Sequence, residues 1–252
     1  MAEPYLKIYA ERNTGSRYLQ YLVDQNLKVN KFQKPAYLSW ILGHISGQSQ
    51  KSAINDFYHS VSFSRNFGWK HSCVKPAETL QRTKLVRNKQ VKFISITKNP
   101  YSWLLSLHRR PYTQHYNNKK PEFEDFLVTP WKPVKRDNLT GDIPSPMHLW
   151  NIKNASYTEL RGLDYVALRF EDLLADPERV LTEVAENLNL SWRRSSFSNY
   201  DESTKNTDQT TRDYQQYYLG ERWRSKLSSN AIALINDGID RGLMKRYGYD
   251  LL

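Results

Sequence analysis

A single cysteine, Cys73, is all that 252 residues hold. That excludes an internal disulfide and any cysteine-built metal cluster. No apolar run approaches the ~18 residues of a membrane span. The opening MAEPYLKIYAERN lacks a basic stretch followed by an apolar one, so no signal peptide is expected and the cytoplasm is the default compartment. No repeat of fixed period occurs. There is no Walker G-x-x-x-x-G-K-[ST] motif, and no H-x-x-x-H or carboxylate pair that calls for a metal. Neither end carries a long Lys/Arg block, so a nucleic-acid tail is not indicated and no nucleic-acid partner is expected.

What remains is a globular composition, 39% hydrophobic and 25% charged, which rules out disorder, collagen and coiled coil. The length suits one domain over 1–252. The net charge is +11. Such a surface attracts polyanions — nucleic acid, anionic lipid, or a small ligand rich in phosphate or sulfate — although on charge alone solubility explains it better.

Periodicity predicts alternating strands and helices. Residues 4–11 (PYLKIYAE), 63–70 (FSRNFGWK), 91–97 (VKFISIT) and 165–170 (YVALRF) read as strands. Helices are expected from Arg17, from Asn99-Pro100 as cap and first turn, from Asp176-Pro177, and over 228–243. Residues 111–148 are aromatic, Pro-rich and irregular, and residues 195–212 are polar enough to be a loop or lid. The alternation implies an α/β fold: a single domain with a central parallel sheet flanked by helices. Ligands of such sheets bind beyond the strands' carboxyl ends. Those ends carry Arg12 to Ser16, Lys70-His71, Lys98-Asn99 and Glu171-Asp172.

Two of these ends read as anion sites. In RNTGSR, between the first strand and helix, small residues free backbone N–H groups beside a positive helix terminus. Thr14 and Ser16 add hydroxyls there, and Arg12 and Arg17 add charge. Taken alone the segment is also an ordinary capped turn. In KNPYSWLLS, Lys98 ends a strand and Ser106 lies two turns into the next helix, so both can share one anion. Taken alone, a capped helix with an exposed lysine explains it better.

Together with ALRFEDLLADPERVLTEVAENLNL, these segments resemble the sulfotransferase superfamily that uses 3′-phosphoadenosine 5′-phosphosulfate (PAPS). RNTGSRYL resembles its 5′-phosphosulfate loop, K-[SG]-G-T-[TR]-x, and KNPYSWLLS its 3′-phosphate motif, R-N-P-x-x-x-x-x-S. The third segment resembles the family's Tyr-Glu-Asp strand and following helix. The matches cover 5–23, 91–110 and 165–190, in the family's order.

The resemblance implies a P-loop-like sulfotransferase fold, PAPS as donor, adenosine 3′,5′-bisphosphate as product and no metal. It implies that Thr14, Gly15 and Ser16 hold the 5′-phosphosulfate and that Lys98 and Ser106 hold the 3′-phosphate. Tyr18 and Phe170 match adenine-side aromatics, where plain core packing is the competing explanation. The family's loop lysine falls at Asn13, so Arg12, Arg17 or Lys70 has to supply that charge. Lys98 replaces the usual arginine and loses its bidentate fork.

Sulfuryl transfer to a hydroxyl or amine needs a base. Histidine suits the task, and there are six: His44, His59, His71, His108, His115 and His148. His71, beside Lys70 after a strand, is the first choice, with Lys70 as electrostatic stabiliser and His108 second. The acceptor, a small molecule or carbohydrate, is expected to meet residues 108–150, among them His108, Arg109, Arg110, Tyr112, Trp131 and Trp150. The competing readings are a P-loop-type small-molecule kinase, which lacks its lysine here, and a basic nucleic-acid binder.

Overall fold

Strands form where β-branched and aromatic residues run together, and helices begin where a polar cap meets an apolar stripe. The computed structural model describes residues 2–111, 119–200 and 210–252. Four strands, β1 (Tyr5–Ala10), β2 (Asn30–Lys31), β3 (Val91–Thr97) and β4 (Tyr165–Arg169), make one parallel sheet in the order β2-β1-β3-β4. The first half adds helices α1 (Ser16–Asn26), α2 (Ala36–His44), α3 (Gln48–Val61), α4 (Phe63–Asn66), α5 (Ala77–Gln81), α6 (Lys84–Arg87) and α7 (Pro100–Arg109). The second half adds α8 (Phe123–Val128), α9 (Pro146–Ser156), α10 (Phe170–Ala175), α11 (Pro177–Asn187), α12 (Thr211–Tyr218), α13 (Ser229–Gly238) and α14 (Arg241–Arg246). None of the described helices is long and apolar enough to cross a membrane.

The sheet buries both faces, as parallel sheets do. Leu6, Ala10, Ile94, Ile96 and Leu168 join the larger core with Leu19, Leu22, Leu104 and Val184. Tyr9, Val91 and Phe93 join a smaller one with Phe67, Leu80 and Tyr157. The register matters for function: Ala10 sits opposite Ile96, and Thr97 opposite Arg169. The loops after β1, β3 and β4 therefore leave the sheet side by side, on one rim. Two of the expected caps hold. The Asn99 side chain accepts from Tyr101 N at 3.1 Å, and Asp176 accepts from Arg179 N at 3.0 Å.

Residues 63–70 are not a strand. They form α4 and a turn in which Phe67 and Gly68 take φ of 58° and 76°, while Gly68 N donates to Asn66 Oδ1 at 2.9 Å. This Asn-Phe-Gly turn chemistry outweighs the alternating aromatics. Carbonyls that a strand would have paired are taken by β1 side chains instead. Lys7 Nζ donates to Asn66 O at 2.8 Å, and Tyr9 OH to Phe67 O at 2.7 Å. The edge of β1 is filled by two residues of β2.

The expected helix over 228–243 is two helices. Ile239 is extended, Asp240 caps Leu243 N at 2.9 Å, and the Asn151 amide bridges Gly238 O and Asp240 N at 2.8 and 3.0 Å. Residues 111–148 hold α8, a 3₁₀ turn at Lys135–Asp137 and the start of α9. Of the polar stretch 195–212, residues 201–209 lie outside the described residues, as do Tyr112 and His115. Residues 198 and 199 are tied to α1: Asn26 exchanges two hydrogen bonds with the Ser198 backbone, at 2.8 and 2.7 Å, and Tyr18 OH donates to Asn199 Oδ1 at 2.8 Å. Helix α12 follows with Thr210 as its cap.

Candidate active site

The loop after β1 turns twice. Asn13 and Gly15 both have positive φ, 64° and 79°. Gly15 begins α1 with no side-chain cap, so the first-turn N–H groups are not capped by a side chain. A Cβ at Gly15 would come within 2.5 Å of Phe170 Cδ2, so the glycine both permits the turn and admits the ring. Thr14 Oγ1 donates to Glu11 O at 2.6 Å; its hydroxyl braces the loop and keeps only acceptor capacity for a ligand. Arg12 is buried, its guanidinium 4.8 Å over the Trp69 ring. Arg17 is the cation that acts on Lys70, whose ammonium is lowered by burial first and Arg17 second. Arg17 thus adds its positive field to that of Lys70.

Lys98 is only 1% exposed, so the exposed-lysine explanation falls. Its Nζ donates to Ser106 Oγ at 3.0 Å and lies 3.8 Å from the Tyr218 ring centroid and 5.0 Å from that of Phe170. Among the described residues no carboxylate forms an ion pair with it. Burial lowers its pKa; Tyr218 and Glu171 oppose that. Burial would raise the Tyr218 phenol, yet Lys98 and Ser106 together bring it down to about 8. The sequence reading missed Tyr218, which arrives on α12 from far along the chain. The tyrosine-rich run DYQQYY was the available signal.

His71 lies on the turn after Gly68, against the end of β1. Its Nδ1 is 2.6 Å from Ala10 O. A carbonyl only accepts, so Nδ1 carries the hydrogen and Nε2 keeps its lone pair. Burial, followed by Lys70, holds the imidazole well below its ordinary pKa. Because the chain turns here, Lys70 and His71 can serve one site. Ala10 N donates to Lys70 O at 2.8 Å, which ties the turn to the end of β1.

Behind His71 is a buried ionic cluster that the sequence did not disclose. Lys153 Nζ meets Asp137 Oδ1 at 3.2 Å and Glu11 Oε2 at 3.4 Å, and it donates to His71 O. Glu11 Oε1 accepts from Arg12 N at 2.6 Å. One lysine therefore ties the end of β1, the His71 turn, the 3₁₀ turn and α9. Other sequence candidates lie elsewhere. Trp131 and Trp150 are core residues, with Trp150 Nε1 donating to Lys98 O at 3.0 Å. His108 Nε2 is 2.8 Å from Pro121 O, and its ring packs on Phe123 and Phe126.

The fold that carries these residues has counterparts among solved structures. The sulfotransferase domain of the Synechococcus PCC 7002 olefin synthase overlays with a TM-score of 0.50 at 15% identity, covering 100% of this chain and 98% of that one. The chain has a sulfotransferase fold. A sulfotransferase from Alicyclobacillus acidocaldarius (TM-score 0.45, 14% identity, 100% and 98% coverage) and the sulfotransferase domain of the curacin biosynthetic pathway (0.41, 11%, 99% and 99%) overlay more loosely. No family model and no curated protein matches the chain. On the sulfotransferase fold, the rim carrying the loops after β1, β3 and β4 gathers Gly15, Lys98, Ser106 and Phe170 from the three motif segments. Gly15 touches Phe170, and Phe170 faces Lys98.

Proposed function

We propose that the protein is a PAPS-dependent sulfotransferase. The observation that carries this reading is Lys98: a buried ammonium held by a hydroxyl and two rings, with no carboxylate among the described residues in an ion pair with it. Such a charge is costly unless an anion joins it. The uncapped first turn of α1 and the glycine cradle against Phe170 fit a second anion on the same rim. A nucleotide with a 3′-phosphate and a 5′-phosphosulfate has both.

When bound, PAPS supplies the sulfuryl group and leaves as adenosine 3′,5′-bisphosphate. Lys98 and Ser106 hold the 3′-phosphate, and Phe170 and Tyr18 flank the adenine side. Residues 13–16 and the first turn of α1 hold the 5′ end, with Arg12 as a supporting charge. His71 Nε2 takes the acceptor's proton as the acceptor oxygen or nitrogen bonds to sulfur. The sulfur–oxygen bond to the phosphate breaks, and its electron pair leaves on the phosphate oxygen. Lys70 and Arg17 stabilise that oxygen in the role left open by Asn13. The acceptor is a small molecule or carbohydrate.

The test is ligand-dependent melting. Adenosine 3′,5′-bisphosphate should raise the Tm and ATP with magnesium should not; the reverse would point to a kinase. Salt-sensitive binding to DNA or RNA without a nucleotide effect would point to a nucleic-acid binder. His71→Gln should cost ~10²–10⁴ in turnover while nucleotide binding survives. Because burial lowers the imidazole, the acid limb of the rate profile should lie below the ordinary histidine pKa of about 6.5. An acid limb at or above that value would assign the base elsewhere.

A further inference from the structure

Beside His71 a cleft of about 470 Å³ opens between α3, the turn after Gly68 and the 3₁₀ turn at Lys135–Asp137. That volume falls within the range that holds small ligands. It reaches the histidine through its neighbours: Trp69 and Ser72 line it, and the Trp69 ring meets His71 edge-on at 4.9 Å. One wall is aromatic, formed by Phe57, Phe63 and Trp69, and Phe57 is 69% exposed. The charged lining is lopsided. Lys75, Lys135 and Arg136 face one carboxylate, Asp56, and Arg136 already holds it at 2.7 Å. Lys75 Nζ lies 4.2 Å over the Phe63 ring. Among the described residues neither Lys75 nor Lys135 forms an ion pair. His59 lines the same cleft, and its Nδ1 is buried without a hydrogen-bond partner.

An occupant suited to these walls has a flat apolar body for the aromatic side and a negative group for the two lysines. We propose that this cleft is the acceptor site and that it selects acceptors carrying an anionic group, such as a carboxylate, on a ring-sized apolar body. The proposal rests on the sulfuryl-transfer reading above; of the expected acceptor region 108–150 it keeps the 3₁₀ turn at Lys135–Asp137 and adds α3 and the turn after Gly68. Trp69 is the shared wall: Arg12 of the loop stacks on its ring, and so does Arg136 of the cleft, at 4.8 and 4.7 Å. An acceptor against Trp69 therefore lies between the anion loop and the lysines.

Three phenols with the same hydroxyl and ring test this: 3-(4-hydroxyphenyl)propanoate, 4-ethylphenol and tyramine, whose tails are negative, neutral and positive. Calorimetry on the protein with and without adenosine 3′,5′-bisphosphate should rank them in that order, the propanoate at least tenfold tighter than 4-ethylphenol. Lys75→Glu with Lys135→Glu should reverse the order. If that pair fails to fold, Lys135→Glu alone, at an exposed position, should bring the propanoate and 4-ethylphenol to within about twofold of each other. An order that ignores charge, or survives these substitutions, overturns the proposal. Nucleotide binding with no phenol binding also overturns it. Lysine-dependent propanoate binding without nucleotide binding would uphold the anion-selective cleft and overturn the sulfotransferase reading instead.

Discussion

Two lysines, each 1% exposed, are buried within this fold on opposite terms. Lys153 stands between Asp137 and Glu11, at 3.2 and 3.4 Å, and their charges raise its pKa against the effect of burial. Lys98 has a hydroxyl and two rings, and burial lowers its pKa. The first is a closed arrangement, with its partners supplied by the chain. The second has no ion-pair partner among the described residues, and the sulfotransferase reading proposed above leaves its counter-charge to a ligand. Burial alone therefore does not separate a structural charge from a binding one; the separation lies in whether a carboxylate is in reach.

The largest effect is expected at the closed lysine. Lys153→Met strands two buried carboxylates and should cost about 3–5 kcal/mol in urea unfolding. Adding Glu11→Gln and Asp137→Asn should recover half or more of the loss. A triple variant no better than Lys153→Met would show that the cluster is held by packing and not by charge.

Lys98→Met should behave the other way. It removes a buried charge that no described carboxylate pairs with, so stability should hold or rise. Affinity for adenosine 3′,5′-bisphosphate should fall by about 1.5–3 kcal/mol, the worth of a charge-assisted hydrogen bond. Calorimetry reads the affinity and urea unfolding the stability. A Lys98→Met protein that is destabilised but binds as before would erase the contrast.

The smallest effect is at Tyr218. Its phenol titrates at about 8 when folded, against an ordinary value of 10.0. An acid with a lowered folded pKa stabilises only once it ionises. Its contribution should thus be absent below pH 8 and grow between pH 8 and 10. Tyrosinate absorbance should show one group ionising near pH 8, lost in both Tyr218→Phe and Lys98→Met. Survival of that step in Lys98→Met would mean that another group lowers the phenol.

The same contrast marks how far the sequence could be read. β1, β3, β4, α1, α7 and the start of α11 follow from local signals: β-branched runs, apolar spacing, Asn99-Pro100 and Asp176-Pro177. Lys98 and Ser106 were legible as a pair because they sit on one helix end, at fixed spacing. Residues 63–70 misled because Phe63, Phe67 and Trp69 mimic alternation, while Asn66 and Gly68 impose a turn. The Glu11–Lys153–Asp137 cluster and Tyr218 were not legible. Their contacts join distant parts of the chain, and no local period encodes a meeting between β1 and α9 or between α7 and α12. Two of the residues expected to meet the acceptor show a related limit: Trp131 and Trp150 suggest stacking surfaces, and only packing reveals them as core.

The strand order carries a consequence for how the chain comes to be folded. β1 finds only two rungs of pairing with β2 and waits for β3, which starts at Val91; β3 in turn waits for β4 at Tyr165. At a synthesis rate of about 5–20 residues per second, the first strand emerges roughly 4–17 seconds before its main neighbour. During that interval YLKIYA, apolar on one face and aromatic on the other, is an unpaired edge open to aggregation. Lys7, at its centre, keeps a charge on the nascent strand as a gatekeeper would; once folded, the same ammonium holds the Asn66 carbonyl beneath the turn that presents His71.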